Sequence, residues 1–115
     1  KSIIVLGPNN ELQKASLNTS NAIATKASNY TAVLTDETIL VNANAASVTI
    51  TLPAATETNK GKRFYIKKID ANHVTEVIVD SSSNIDGASS PIYTSNPYQA
   101  WMLQSDGNEW FVVGN

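Results

Sequence analysis

The sequence predicts an all-β fold, a small β-sandwich or jelly-roll-like domain with a short N-terminal extended arm. Apolar residues recur mostly with period two: Val48, Ile50 and Leu52 face one way, Ser47, Thr49 and Thr51 the other. The apolar runs are short, rich in β-branched and aromatic residues, and separated by clusters of Asn, Asp, Ser, Gly and Pro that turn chains. No twelve-residue window carries a convincing helical period. The length, 115 residues, suits one domain able to bury roughly two-thirds of its unfolded surface. No repeat of about 20–50 residues is visible, which argues against a solenoid or a propeller.

Residues 1–28 read as an arm for oligomerisation or attachment, and 29–115 as the sandwich. The run Ile3, Ile4, Val5, Leu6, with Leu12 beyond the "GPNN" turn, supplies the candidate oligomer contacts, because an apolar strand near a chain end is an edge that asks for a partner. The rest of the arm, "ELQKASLNTSNAIATKASN", is too polar and small to form a core alone. A start at Lys1 suggests either an additional initiator methionine or a trimmed fragment. At least six strands follow, in order "ETILV", "SVTITL", "RFYIKKI", "TEVIV", "YQAWML" and "EWFVV". Between the second and third, Pro53 cannot donate to a further ladder bond and turns the chain, and Gly61 lets it re-enter the sheet.

Five of the eight positive charges fall between Lys60 and Lys68. Lys60, Lys62 and Arg63 lie in or near the connection and are the candidate polyanion contacts. Lys67 and Lys68 belong to a strand and face opposite ways, so the five cannot form one patch, and a strand lysine beside Asp70 reads as an exposed or paired edge charge. With 16% charged residues and a net charge of −2, the chain lacks the basic face of a nucleic-acid binder. It has no cysteine, which removes disulfides, thiolate metal sites and thiol nucleophiles. "IIVL" is far shorter than the roughly 20 apolar residues of a membrane helix, so no membrane insertion is expected.

No catalytic set emerges. His73, the only histidine, has Asp70 three residues away, but no strained serine elbow accompanies it. "DSSSNIDG" resembles a calcium loop only faintly, since Ser82 stands where a second Asp is expected and no Glu closes it. Asp36 and Glu37 are adjacent and would face opposite sides of a strand, unlike a glycosidase pair. The chain therefore reads as no enzyme, with no catalytic residue, no metal and no cofactor. A binding surface is better supplied by the long polar stretch from Ser81 to Pro97 and its flank. Tyr93, Asn96, Tyr98, Ser89 and Ser90 are the candidate receptor contacts, rings beside hydroxyl and amide groups on a loop.

Four motifs stand in a telling order: Leu52, Pro53, Ala54; Tyr65, Ile66, Lys67, Lys68; Ile85, Asp86, Gly87; and Ser105, Asp106, Gly107 with Trp110. In that order and spacing, over Tyr30 to Val113, the chain resembles the C-terminal β-sandwich domain of tailed-phage fibre and virion-appendage proteins, tail fibre or head fibre. The resemblance implies a homotrimeric viral structural protein at the virion surface, partnered by other virion proteins and by a host cell-surface glycan or receptor. Two other readings stay open: a head fibre or capsid decoration protein that binds only virion proteins, and a bacterial carbohydrate-binding module.

Overall fold

The computed structural model describes residues 21–115 and consists of two β-sheets facing each other across one core. Its strands are β1 (Ile23–Lys26), β2 (Tyr30–Thr31), β3 (Thr38–Val41), β4 (Val48–Leu52), β5 (Arg63–Lys68), β6 (Val77–Ser81), β7 (Ile92–Thr94), β8 (Ala100–Ser105) and β9 (Trp110–Gly114). The five-stranded sheet has the order β1-β3-β5-β8-β9 and the four-stranded sheet the order β2-β4-β6-β7. One 3-10 turn, Glu57–Asn59, is the only helical element among the described residues. The expected all-β sandwich is what the chain forms.

The first six strands alternate between the sheets, and within each sheet they pair in parallel. A parallel pair cannot be joined by a tight hairpin and needs a long crossover; here each crossover is itself a strand of the opposite sheet. The chain thus winds through three levels before antiparallel strands end the stack, β7 against β6 and the β8–β9 hairpin against β5. The stacking continues past the strand ends, where Asn42 N donates to Lys26 O at 2.8 Å and Ile69 N to Val41 O at 2.9 Å. Sequence inspection finds no repeat because the levels differ in length. Ile23 pairs with Thr38 and Thr38 with Tyr65, steps of 15 and 27 residues. Tyr30 pairs with Ile50 and Val48 with Val77, steps of 20 and 29.

The winding begins upstream of the boundary drawn at Ser28, since β1 joins the five-stranded sheet beside β3. "IATK" is too short and too polar to announce a strand, and its pairing with the backbone of β3 supplies what its side chains do not. β7 is likewise a short edge strand inside the stretch read as loop, and β2 is only two residues long.

Period-two alternation builds the core. Val48, Ile50 and Leu52 of β4 face Ile39 and Val41 of β3, Phe64 and Ile66 of β5, Val77 and Val79 of β6, Leu103 of β8 and Trp110 of β9, in one buried cluster. Burying each aliphatic side chain contributes about 1.5–3 kcal/mol, so this inner layer carries most of the stability.

Candidate functional site

Three of the four motifs that carry the resemblance, the Leu-Pro-Ala corner, the Ile-Asp-Gly turn and the terminal Ser-Asp-Gly hairpin with Trp110, meet as one structural frame. Trp110 is fully buried; its indole Nε1–H donates to the carbonyl of Pro53 at 2.9 Å, and its ring lies 5.4 Å from that of Phe64. The Leu-Pro-Ala corner is therefore fixed by the terminal hairpin. Ile85 and Ala88 exchange both backbone hydrogen bonds around Asp86 (φ 52) and Gly87 (φ 81), two consecutive left-handed residues that make a tight reverse turn. That turn is bolted to β9: Asp86 N donates to Trp110 O, Trp110 N to Asn84 O, and Val112 N to Asp86 Oδ1. Asp80 Oδ1, the other carboxylate of the calcium-like stretch, accepts from Ser81 N.

Ser105, Asp106 and Gly107 close the opposite side. The buried Ser105 hydroxyl bonds Asn59 Oδ1 at 2.9 Å and accepts from Gly107 N, while Asn59 also accepts from Thr56 N and donates to Ala54 O. Asp106 Oδ1 accepts from the backbone of Asn108 and Glu109. Those donors, Glu109 N foremost, hold the Asp106 carboxyl below its usual range. Each of these three motifs thus positions backbone.

Lys68 is paired with Asp70, one of the two alternatives expected, but it is neither exposed nor on an edge strand. It shares the inward face of β5 with Phe64 and Ile66, is fully buried, and pairs with Asp70 Oδ2 at 2.5 Å. The Asp70 carboxylate also accepts from Ala43 N at 2.7 Å and Asn72 N at 3.1 Å, joining the segments that follow β3 and β5. Burial pushes the Asp70 carboxyl up, but the bonds from Lys68, Ala43 and Asn72 outweigh it and leave it below the ordinary value. The sign was available in the sequence: positions 64, 66 and 68 of one strand share a face.

The candidate receptor contacts do not form a single cluster. Tyr93 projects from β7 of the four-stranded sheet, is 64% exposed, and its hydroxyl makes no hydrogen bond among the described residues. Ser89 and Ser90, just before it, are exposed. Asn96 is held by its neighbours, its backbone N donating to Thr94 Oγ1 and its side-chain amide to Gln99 Oε1. Tyr98 belongs to the other sheet's rim, where Lys67 Nζ donates to its carbonyl at 2.8 Å and lies 5.9 Å from its ring centre. Gln99 N donates to Asn96 O across Pro97 and Tyr98, and Tyr98 takes φ 64. That is the geometry of a type II turn with proline second and a bulky residue third, where glycine or asparagine would be cheaper. Nothing in the sequence alone flagged this strained ring.

The candidate polyanion contacts also separate. Lys60 is exposed beside the Asp106 turn, where its charge helps lower the Asp106 carboxyl. Lys62 is committed inward, donating to the Asp36 carbonyl and lying 4.8 Å over the Phe64 ring. Arg63 is exposed on the outer face, paired in register with Gln104. The candidate oligomer contacts Ile3, Ile4, Val5, Leu6 and Leu12 lie outside the described residues.

His73 is exposed in the connection after β5. Asp36 does not act with Glu37; it accepts from the Tyr30 hydroxyl at 2.7 Å and from Val33 N at 2.9 Å, and that bond holds the Tyr30 proton on and raises its pKa. Among the described residues, no three His, Cys, Asp or Glu side chains gather as metal ligands, and no helix is long and apolar enough to cross a membrane.

The outer face of the five-stranded sheet carries a shallow groove of about 420 Å³, lined by Thr38, Leu40, Tyr65, Lys67, Ala100 and Met102. Compared with models of known protein families, the chain matches none. No curated protein matches it in sequence either.

Proposed function

We propose that this chain is the folded part of a phage virion appendage, a non-catalytic, homotrimeric fibre or head domain that attaches the particle to a host-surface glycan or receptor. The reading rests on the order of the four motifs and on the frame that three of them share, and one observation gives it a contact point. Tyr93 stands 64% exposed on a strand, with no intramolecular partner for its hydroxyl among the described residues. A tyrosine that pinned the loop to the core would be covered and bonded. An exposed ring with exposed Ser89 and Ser90 close by in the chain offers stacking area and hydroxyl readers on a rigid support.

Adhesion does not require a strong single site. A millimolar contact supplies only about −4 kcal/mol, and linked copies raise avidity by about 10²–10⁴. The partners are then further copies of the chain, other virion proteins and the host surface, with no cofactor involved.

Binding of the purified protein to a glycan array, beside Tyr93→Phe and Tyr93→Ala, tests the reading. Wild type binds, Tyr93→Ala does not, and Tyr93→Phe binds more weakly at an unchanged melting temperature. Equal binding by all three would remove this contact. Binding by none, with the protein co-purifying only with virion components, would favour the decoration role, and a monomer that binds glycan would favour a carbohydrate-binding module.

A further inference from the structure

The groove on the outer face of the five-stranded sheet is the feature that the attachment reading leaves unused. Outward positions of a solvated sheet are ordinarily polar, yet here the row Thr38, Tyr65, Met102, Gly114 crosses four strands in register, with Leu40, Lys67 and Ala100 in the row beside it. Ala100 and Gly114 leave room beside their larger neighbours Lys67 and Met102. Gly114 has no side chain, and Met102 Cε lies 3.2 Å from where its Cβ would stand. Beside the groove, Ile23 pairs with Thr38 and is 64% exposed. Lys67 is the one charged side chain lining the groove. The scarcity of polar groups in this groove suits an aliphatic occupant better than a sugar.

We infer that this groove receives the segment Ile3–Leu6 from a neighbouring copy of the chain, an inference that rests on the homotrimer in the proposed function. Ile3–Leu6 is a run of four consecutive aliphatic residues upstream of the described part. The chain enters the sheet at Ile23, whose register partner Thr38 is in the groove's own row. Sixteen residues, 7–22, separate the two, a length that would cover about 20–24 Å as a coil and at most about 58 Å extended, enough for the segment to reach the sheet face of an adjoining copy.

Alternation decides between a neighbour and the chain's own groove. In an extended segment Ile3 and Val5 face one way and Ile4 and Leu6 the other. A seat on the chain's own sheet covers only one of those pairs and leaves the second in water. Between two copies both pairs are covered, one by the groove and one by the donor side of the interface.

The absence of native cysteine makes the test clean. A Val5→Cys chain and a Leu40→Cys chain, carrying different tags, are co-expressed, purified together and treated with a short bis-maleimide. The expected result is a mixed-tag dimer on a denaturing gel at least tenfold above a control pairing of Val5→Cys with Val74→Cys, which lies on an 82% exposed loop residue. Met102→Cys serves as a second acceptor should Leu40→Cys fold poorly. Crosslinking at the control level for both acceptors overturns the inference, as does a product that forms only within one chain when both cysteines are placed together. Sedimentation of the uncrosslinked protein separates the two failures. A trimer without the crosslink keeps the oligomer and removes the groove, whereas a monomer removes both.

Discussion

Replacing Lys68 by methionine keeps the length and apolar stem of the side chain and removes only its charge. In the folded chain Lys68 is fully buried and its ammonium sits 2.5 Å from Asp70 Oδ2. Without it, Asp70 keeps the amides of Ala43 and Asn72 but no counter-charge in a site that excludes water. Removing one partner of a buried pair costs about 3–5 kcal/mol, against a total stability of about 5–15 kcal/mol for a domain. Lys68→Met is therefore expected to lose about a fifth or more of the stability in urea unfolding followed by tryptophan fluorescence. Asp70→Asn should lose a similar amount, because it strands the buried ammonium. The double variant removes both charges and retains an acceptor for Ala43 N, so it should fall short of the summed losses by about 1–3 kcal/mol. Single losses under about 1 kcal/mol, or an additive double variant, would refute the claim that this pair holds the ends of β3 and β5 together.

The pH dependence has a fixed sign. Asp70 has a lowered carboxyl pKa in the folded chain, so its contribution is complete above the ordinary carboxylate value and is lost as pH falls through the lowered one. An acid titration of stability should thus show a limb below about pH 4 that is reduced in Lys68→Met, and an unchanged limb would count against the pairing. Trp110→Phe keeps most of the ring but frees the Pro53 carbonyl, costing about 0.5–1.5 kcal/mol for the bond, with a further loss from the smaller ring; calorimetry with no loss would contradict the corner's role. Gly107→Ala puts a side chain on a residue at φ 93 and places its Cβ 2.8 Å from Glu57 Oε2, so a loss of about 1–2 kcal/mol is expected, and a melting temperature equal to wild type would refute it. Tyr98→Gly relieves the positive φ and should be neutral or stabilising, whereas Tyr98→Ala keeps the strain and loses the ring; equal melting temperatures for the two would show that the turn stores nothing.

What the sequence disclosed follows the physics of its signals. All six strands read from alternation are present, as β3, β4, β5, β6, β8 and β9, because a half-buried strand writes its pattern into side chains. β1, β2 and β7 were not visible, because short edge strands are held mainly by backbone bonds and carry little pattern. The parallel winding was hidden for a different reason: its levels are spaced unequally, and pairing partners 15 to 29 residues apart leave no periodic trace. Lys68 was legible and was passed over, since its place on the face of Phe64 and Ile66 follows from period two. The candidate contacts Tyr93 and Tyr98 lie close in sequence, yet β7 and β8 belong to different sheets, so the crossover between them carries the two rings apart. That separation is a property of topology and could not be read from spacing.

The most direct test of the account is where the chain sits. Antibody raised against residues 21–115, visualised with gold on particles from cultures that produce this chain, should label a surface appendage at the head or the tail, and the same antibody should block attachment of those particles to their host cells. Label confined to the bacterial envelope or medium, with particles bare and attachment unaffected, would contradict the assignment to a virion adhesin.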